Sequence, residues 1–364
     1  MSNQHIPWWT PQVGPDEYGH VRDVLDSNYL NEGDVTARFE QEIAGLVGVN
    51  HAVGVTSGTA ALFLSLAALG IGHGDEVIVP DLTFIATANA VTLAGATPVL
   101  VDVDPATLNM CVESFSKAIT VRTRAVIPVH VSGRSADMDA IISVARAHGV
   151  AVVEDAAEAL LSMSNGRALG TIGIAGCLSF SPNKTITTGQ GGMVLTNDDA
   201  MHIRLRELKD QGRPVRGTGG DDVHASVGFN FKLTNLQAAV GLAQLGYLSA
   251  RVARQKRTYE LYARGLAGVA GVRLPGFDIA GGEVPQWVDA VVDRRDSLDQ
   301  QLLAKGMHCR RFWFPLHTQA PYRRQDSEFP GSMSVGPKAM WLPSAFTLSD
   351  ADVDAVVGAV REFV

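Results

Sequence analysis

Short apolar runs, each closed by a polar or glycine-containing segment, alternate along the first part of the chain with stretches whose apolar residues recur at helical spacing. Val77 to Val79, Thr97 to Val101, Ala125 to Val129 and Ala151 to Val153 are such runs. Each is too short for a stable helix and carries no polar face, the pattern of strands buried inside a parallel sheet. Between them, the segment with Ala60, Leu62, Leu64 and Ala67, then Val112 to Ile119 and Ala136 to His148, read as helices. Repeated strand and helix units of this kind predict an α/β fold with a mostly parallel central sheet covered by helices on both faces.

Ahead of these units lies an arm with Trp8 and Trp9. A turn at Gly14 and Pro15 then opens a helix to about Ser27, with Val21, Val24 and Leu25 on one face. The loop Asn28 to Gly33 breaks it, and a second helix, about Val35 to Val47, leads to a strand from His51 to Val55. Beyond Asp198 a helix to Leu208 meets Gly212 to Asp222, a glycine-rich, charged loop long enough to suggest a functional role. One long helix from about Asn235, with Leu236, Ala239, Val240, Leu242 and Leu245 on its apolar side, is expected to run into a smaller C-terminal α/β domain. The expected division is 1–249 for the arm and large domain, and 250–364 for the small one. The latter reads as a helix around Arg254 to Leu266, a strand Trp287 to Val292, a helix Ser297 to Lys305 and a terminal helix from Ser349.

Composition narrows the partners. A chain of 364 residues exceeds what one core usually organises, and its 46% hydrophobic content is ample for two. The net charge of -8 provides no basic field for nucleic acid, so a small molecule is the expected partner. Cys111, Cys177 and Cys309 have neither disulfide-framework nor zinc-type spacing, and no metal is expected. There is no charged segment followed by an apolar core at Met1, and no apolar stretch long enough to span a bilayer, so a cytoplasmic location is expected.

Chemistry concentrates between Ser179 and Asp198. Apolar runs enter and leave this stretch, and Lys184 sits between them among Ser, Pro, Asn, Thr and Gly. A lysine presented on a partly buried loop can form a Schiff base with an aldehyde. Upstream, Ala151 to Val153 end at Glu154 and Asp155, as a buried strand opening into a site does. Ser57, Gly58 and Thr59 open a helix, whose N-terminal N–H groups and hydroxyls make an anion site. Taken singly, these are a solvated lysine, a helix-capping aspartate and an N-cap. Taken together, Lys184 and Asp155 match what pyridoxal phosphate needs: an amine for the aldehyde and a carboxylate for the ring nitrogen. Gly70 to Gly74 follows a helix and precedes a strand, the wrong order for a dinucleotide fingerprint, and reads as a turn.

Thr56 to Leu62, Asp81 to Asn89, Glu154 to Ala159, Asn183 to Met193 and Gly228 to Ala239 are ordered motifs in which the chain resembles, over nearly its whole length, the DegT/DnrJ/StrS-type nucleotide-sugar aminotransferases. The resemblance implies the fold-type I architecture and a catalytic Lys184 that carries the cofactor and moves protons. It implies Ser57, Gly58, Thr59 and Ser179 around the phosphate, Phe84 on the ring, Asp155 at the ring nitrogen, and Glu158 near the phenolic oxygen. It also implies a homodimer in which Asn230 reaches the partner's cofactor. Tyr29, Leu30 and Asn31 fall on the loop expected near the sugar, and Arg310 and His317 fall where substrate is expected. The segment His130 to Asp139 departs from the family's His-x-Tyr-Gly-Gln-x-x-Asp-Met, placing Ser132 and Arg134 where Tyr and Gln are usual; Arg134 is a substrate candidate for that reason. Arg310-Arg311 likewise replaces a usual Arg-Pro.

Within the family the motifs look most like the members that make GDP-perosamine by aminating C4 of a 4-keto-6-deoxy sugar. The expected reaction takes the amino group of L-glutamate, through pyridoxamine phosphate, to a nucleotide-linked keto sugar. Alternatives are a UDP- or dTDP-linked sugar or a cyclic ketone as acceptor. Sugar dehydration is disfavoured because those relatives carry histidine at the lysine position, and a non-catalytic cofactor-binding protein because it has no chemical need for the intact set.

Overall fold

The apolar runs become strands that stop where a polar or glycine residue follows. In the computed structural model, which describes residues 5–214 and 222–364, these are β1 (His51–Val55), β2 (Glu76–Pro80), β3 (Thr97–Val101), β4 (Thr123–Val126) and β5 (Ala151–Asp155). A small hairpin follows, β6 (Met163–Ser164) with β7 (Arg167–Ala168), and then β8 (Ala175–Ser179) and β9 (Gly192–Thr196). Apart from the hairpin they form a seven-stranded sheet ordered β1-β9-β8-β5-β4-β2-β3. β9 runs antiparallel to both β1 and β8, while the remaining pairings are parallel. The carboxyl ends of β1, β2, β5 and β8 therefore share one edge. The chain leaves β8 and re-enters as β9 at that same edge, through the loop that carries Lys184.

Helices cover both faces because their sequences leave them no alternative. Gly58–Ala68 is apolar nearly all round and packs Leu62, Leu64 and Leu66 against Val53, Val79 and Val194 of the sheet. On the other face Phe39 and Ile43 of the helix Asp34–Val47 meet Phe180, Met193 and Leu195. Of the loop expected over Gly212 to Asp222, residues 215–221 lie outside the described residues.

The single long helix expected from Asn235 is two, Asn235–Leu245 and Leu248–Gly265. At the break the N–H groups of Gly246 and Tyr247 bond three residues back, to the carbonyls of Ala243 (3.1 Å) and Gln244 (3.2 Å), a tightening that ends an α-helix. The Tyr247 hydroxyl donates to Asp16 (2.7 Å) and holds the break against the first helix, Pro15–Asp26.

β10 (Val272–Arg273), β11 (Val288–Val292), β12 (Arg310–Arg311) and β13 (Ala339–Leu342) form a second, antiparallel sheet ordered β10-β11-β13-β12. Its core joins Val288, Ala290 and Val292 to Tyr262, Leu298, Leu302, Val356 and Val360 of the flanking helices. The start of the N-terminal arm packs here. Ile6 bridges to Met307 and enters this core, and Trp8 lies against Trp287 and Trp341 at centroid distances of 5.5 and 5.9 Å. Burial of these apolar side chains draws the arm across to the second sheet.

Candidate active site

A cleft of about 260 Å³ opens at the shared strand edge, bounded on its far side by the second sheet. At the end of β1, Ser57 caps the helix Gly58–Ala68, its Oγ accepting from the Ala60 N–H (3.1 Å). The first-turn N–H groups that follow, on Gly58 and Thr59, have no helical carbonyl to bond. A Cβ on Gly58 would stand 3.0 Å from that of Ser179, so glycine there lets the end of β8 close on the helix terminus. Gly192 is required as well: a side chain would run into the Ser57 carbonyl.

Asp155 ends β5 with its carboxylate buried, accepting from Thr87 Oγ1 (2.8 Å) and the Ala157 N–H (3.2 Å). Burial raises its pKa, and the Thr87 bond offsets part of the rise. Glu158 stands one turn beyond. One oxygen accepts from Lys184 Nζ (3.2 Å), the other from the Ser132 N–H (2.9 Å). Its pKa is also raised by burial, against the opposing pull of Lys184. Lys184 Nζ lies 4.8 Å from the centre of the Trp287 ring.

Side chains from the C-terminal part of the chain hold the loop that presents this amine. Gln286 Oε1 accepts from the Thr185 N–H (3.1 Å) and hydroxyl (2.6 Å), and Arg251 donates to the Thr185 carbonyl (2.9 Å). Phe84, 52% exposed, faces the cleft from the turn after β2. An aromatic ring left half-solvated at a cleft wall is short of a packing partner, as one that stacks on a planar ligand would be.

The far wall consists of Trp287, Trp313, Trp341 and Arg310. Arg310 pairs in register with Trp341 across β12 and β13, and its guanidinium lies 4.8 Å from the Trp8 ring centre and 5.6 Å from that of Trp341. Sequence reasoning named Arg310 here and missed the tryptophans and Thr87. The aromatic run Phe312 to Phe314 was a signal for the wall, but the pairing that assembles it is not visible in any single stretch.

The structure thus brings Ser57, Gly58, Thr59, Phe84, Asp155, Glu158, Ser179, Lys184 and Arg310 to one cleft. It sets the other candidates elsewhere. Arg134 is neither a solvated cation nor a cleft residue. It is buried, donating to Asp289 (2.9 Å) and to the carbonyls of Thr107 (3.0 Å), Pro275 (3.3 Å) and Gly276 (2.7 Å), which occupy the donors a substrate would need. His317 is buried too. Its Nδ1 and backbone N–H both bond Asp81 (2.7 and 2.8 Å), and its ring stacks on Phe329, away from the cleft lining. Tyr29 and Asn31 are exposed, and their carbonyls accept from Asn235 (3.1 Å each), which pins their loop to a helix start outside the cleft. Asn230 is exposed, bridges to Asp210 and does not reach its own chain's cleft. Among the described residues no cluster of His, Cys, Asp and Glu could hold a metal ion, and no helix is long and apolar enough to cross a membrane.

An amine poised on a loop between strands, a buried carboxylate at a strand end and a helix terminus ringed by hydroxyls define a pyridoxal phosphate-dependent aminotransferase of fold type I. Residues 11–361 match the DegT/DnrJ/EryC1/StrS aminotransferase family, and the chain belongs to it. It is 38% identical to the GDP-perosamine synthase of Caulobacter vibrioides, covering 97% of this chain and 96% of that one. Among solved structures, DesV of S. venezuelae in complex with a ketimine intermediate superposes with a TM-score of 0.91 at 36% identity, covering 95% of this chain and 93% of that one. DesI in the presence of its TDP-sugar product superposes with a TM-score of 0.90 at 31% identity, covering 100% and 93%.

Proposed function

We propose that this sugar aminotransferase moves the amino group of L-glutamate to C4 of a GDP-linked 4-keto-6-deoxy sugar. The observation that carries the transamination is the placement of Lys184 and the buried Asp155 in one cleft, with Glu158 on the amine. Similarity to a GDP-perosamine synthase supports the acceptor.

The donor set suits pyridoxal phosphate. Gly58, Thr59 and the hydroxyls of Ser57 and Ser179 would hold the phosphate, Asp155 the ring N–H, Phe84 the ring face and Lys184 the aldehyde. Bound there, the cofactor supplies an electron sink for the carbon that carries the amino group. Lys184 Nζ, once released, takes the proton from the donor Cα, and in the second half-reaction it delivers one to the sugar carbon that becomes aminated. Glu158 orients Nζ for both transfers. Burial raises its pKa, against the pull of Lys184. Arg310, a cation on a tryptophan wall with no carboxylate partner among the described residues, takes an anionic part of the substrate. Asn230 acts across a homodimer, completing the partner's phosphate site, which accounts for its distance from its own cleft.

The test is to load the protein with pyridoxal phosphate, add L-glutamate and follow the visible band, with Lys184→Ala as control. The band should fall with formation of pyridoxamine phosphate and 2-oxoglutarate, and GDP-, UDP- and dTDP-linked keto sugars should then be compared as acceptors. A band unmoved by L-glutamate would overturn the donor. Turnover confined to a UDP- or dTDP-linked sugar would overturn the acceptor in favour of a second reading, which the likeness to DesI with its TDP-sugar product supports.

A further inference from the structure

Ser132 and Arg134 meet in space at Asp289. Ser132 has φ +53° and ψ +22°, in the left-handed region that a serine rarely occupies. It cannot easily relax. The next residue, Gly133, has φ +91°, and a side chain there would strike the Val284 carbonyl. Ser132 is tied at three points: its N–H donates to Glu158 (2.9 Å), its carbonyl accepts from the Gln286 N–H (2.8 Å), and its hydroxyl donates to Asp289 (2.6 Å). Asp289 lies buried on β11 and also accepts from Arg134 (2.9 Å) and from the indole N–H of Trp341 (2.8 Å), whose ring lines the cleft.

We propose that Asp289 and Ser132 are positioning residues for Glu158: Asp289, neutralised by Arg134, anchors the Ser132 hydroxyl and so keeps the Ser132 N–H on the carboxyl that orients Lys184. The inference rests on the reading of Lys184 as the cofactor-bearing amine. A left-handed serine persists only where its surroundings over-determine it. Removing the hydroxyl removes one of the three ties, and the peptide can then rotate its N–H off Glu158. Lys184 and Asp155 are the charges that face Glu158 directly. Behind Ser132 stands the Arg134–Asp289 pair, and His130 lies bonded to Glu154 on the same segment (3.0 Å). The Arg134–Asp289 pair is internally neutral, so its effect on Glu158 passes through the orientation of one N–H.

The experiment titrates with pH the visible band of the protein loaded with pyridoxal phosphate, in wild type, Ser132→Ala, Asp289→Asn and the remote control Asp350→Ala, which breaks ion pairs to Arg254 and Arg257. In Ser132→Ala and Asp289→Asn the midpoint should move by about half a pH unit or more, a shift well within what one lost bond to a carboxylate produces. The control should lower the melting temperature without moving the midpoint. Ser132→Gly suits a positive φ and lacks the hydroxyl, so it carries the test if Ser132→Ala does not fold. A Lys184-dependent band whose midpoint ignores the changes at Ser132 and Asp289 would overturn this proposal alone. A band that persists in Lys184→Ala would overturn the reading of Lys184, and the proposal with it.

Discussion

Glu154 precedes Asp155 on β5, and the strand's alternation sends its side chain to the opposite face, where it is fully buried. One oxygen accepts from the N–H groups of Ile172 (2.6 Å) and Gly173 (2.7 Å), the other from the Gly170 N–H (2.8 Å) and His130 Nε2 (3.0 Å). His130 Nδ1 accepts from the Ala136 N–H (3.2 Å), which fixes the tautomer that donates from Nε2. Replacement by Gln keeps the shape and exchanges one acceptor oxygen for an NH2. Whichever way the amide turns, two buried donors then face a donor. At about 1–3 kcal/mol for each buried group left unsatisfied, Glu154→Gln should cost about 2–6 kcal/mol. The assay is urea unfolding followed by tryptophan fluorescence, read as the shift in midpoint.

The pH dependence supplies a second check. Burial works to raise the Glu154 pKa, but the bonds from His130, Gly173 and Gly170 outweigh it and hold the pKa below the ordinary value of 4.5. A depressed folded-state pKa contributes stability that is complete above the ordinary value and lost as the pH falls through the folded one. The gap between wild type and Glu154→Gln should therefore stay constant from about pH 8 down to about pH 5 and narrow in more acid solution. A midpoint equal to wild type at neutral pH, or a gap that widens in acid, would refute the account of Glu154 as a charged acceptor of four donors.

Arg310→Met keeps the apolar stem on the tryptophan wall and removes the charge, so KM for the anionic substrate should rise about tenfold to a hundredfold with kcat changed little; a fall in kcat at constant KM would place Arg310 in the chemical step instead. Lys184→Ala and Asn230→Ala should each be inactive or nearly so. Mixed and allowed to exchange subunits, they should recover about a quarter of wild-type activity, because half of the dimers are then mixed and half of the sites in each mixed dimer are intact. No recovery would show that Asn230 does not act in the partner's site.

The architecture was legible because it rests on local patterns. Each buried strand has to be a short apolar run, and β1, β2, β3, β5 and β8 all show one. The loss of regularity at Asp155 and Lys184 then marked where strands open into the site. The helix break at Gly246 was not legible, since the apolar spacing continues across it and the bond that holds it, between Tyr247 and Asp16, joins residues far apart in the chain. Where the arm packs was not legible for a related reason: Ile6 and Trp8 are as apolar as any core residue, and nothing beside them in the chain says which core they enter.

The same limit explains which site residues emerged and which did not. Lys184, Asp155 and Ser57, which share the cleft, each stand at a feature carried by their own segment, a loop, a strand end or a helix start. Arg134 and His317 are charged or titratable residues whose meaning depends on a partner far along the chain, Asp289 and Asp81 respectively. Without that partner, a guanidinium or imidazole in an irregular segment reads as a ligand for something outside the protein. With it, Arg134 is fixed in a buried ion pair, and breaking such a pair from one side leaves an uncompensated charge, so a role in which Arg134 swings out to bind substrate is energetically closed. Among the described residues Arg310 has no carboxylate partner, and it is held on the faces of Trp8 and Trp341 at the cleft. On the roles proposed above, recognition of the anionic substrate falls to the second sheet and the cofactor to the first, and the loop of Lys184, bonded by Gln286 from one side and Trp9 from the other, is where the two are brought into register.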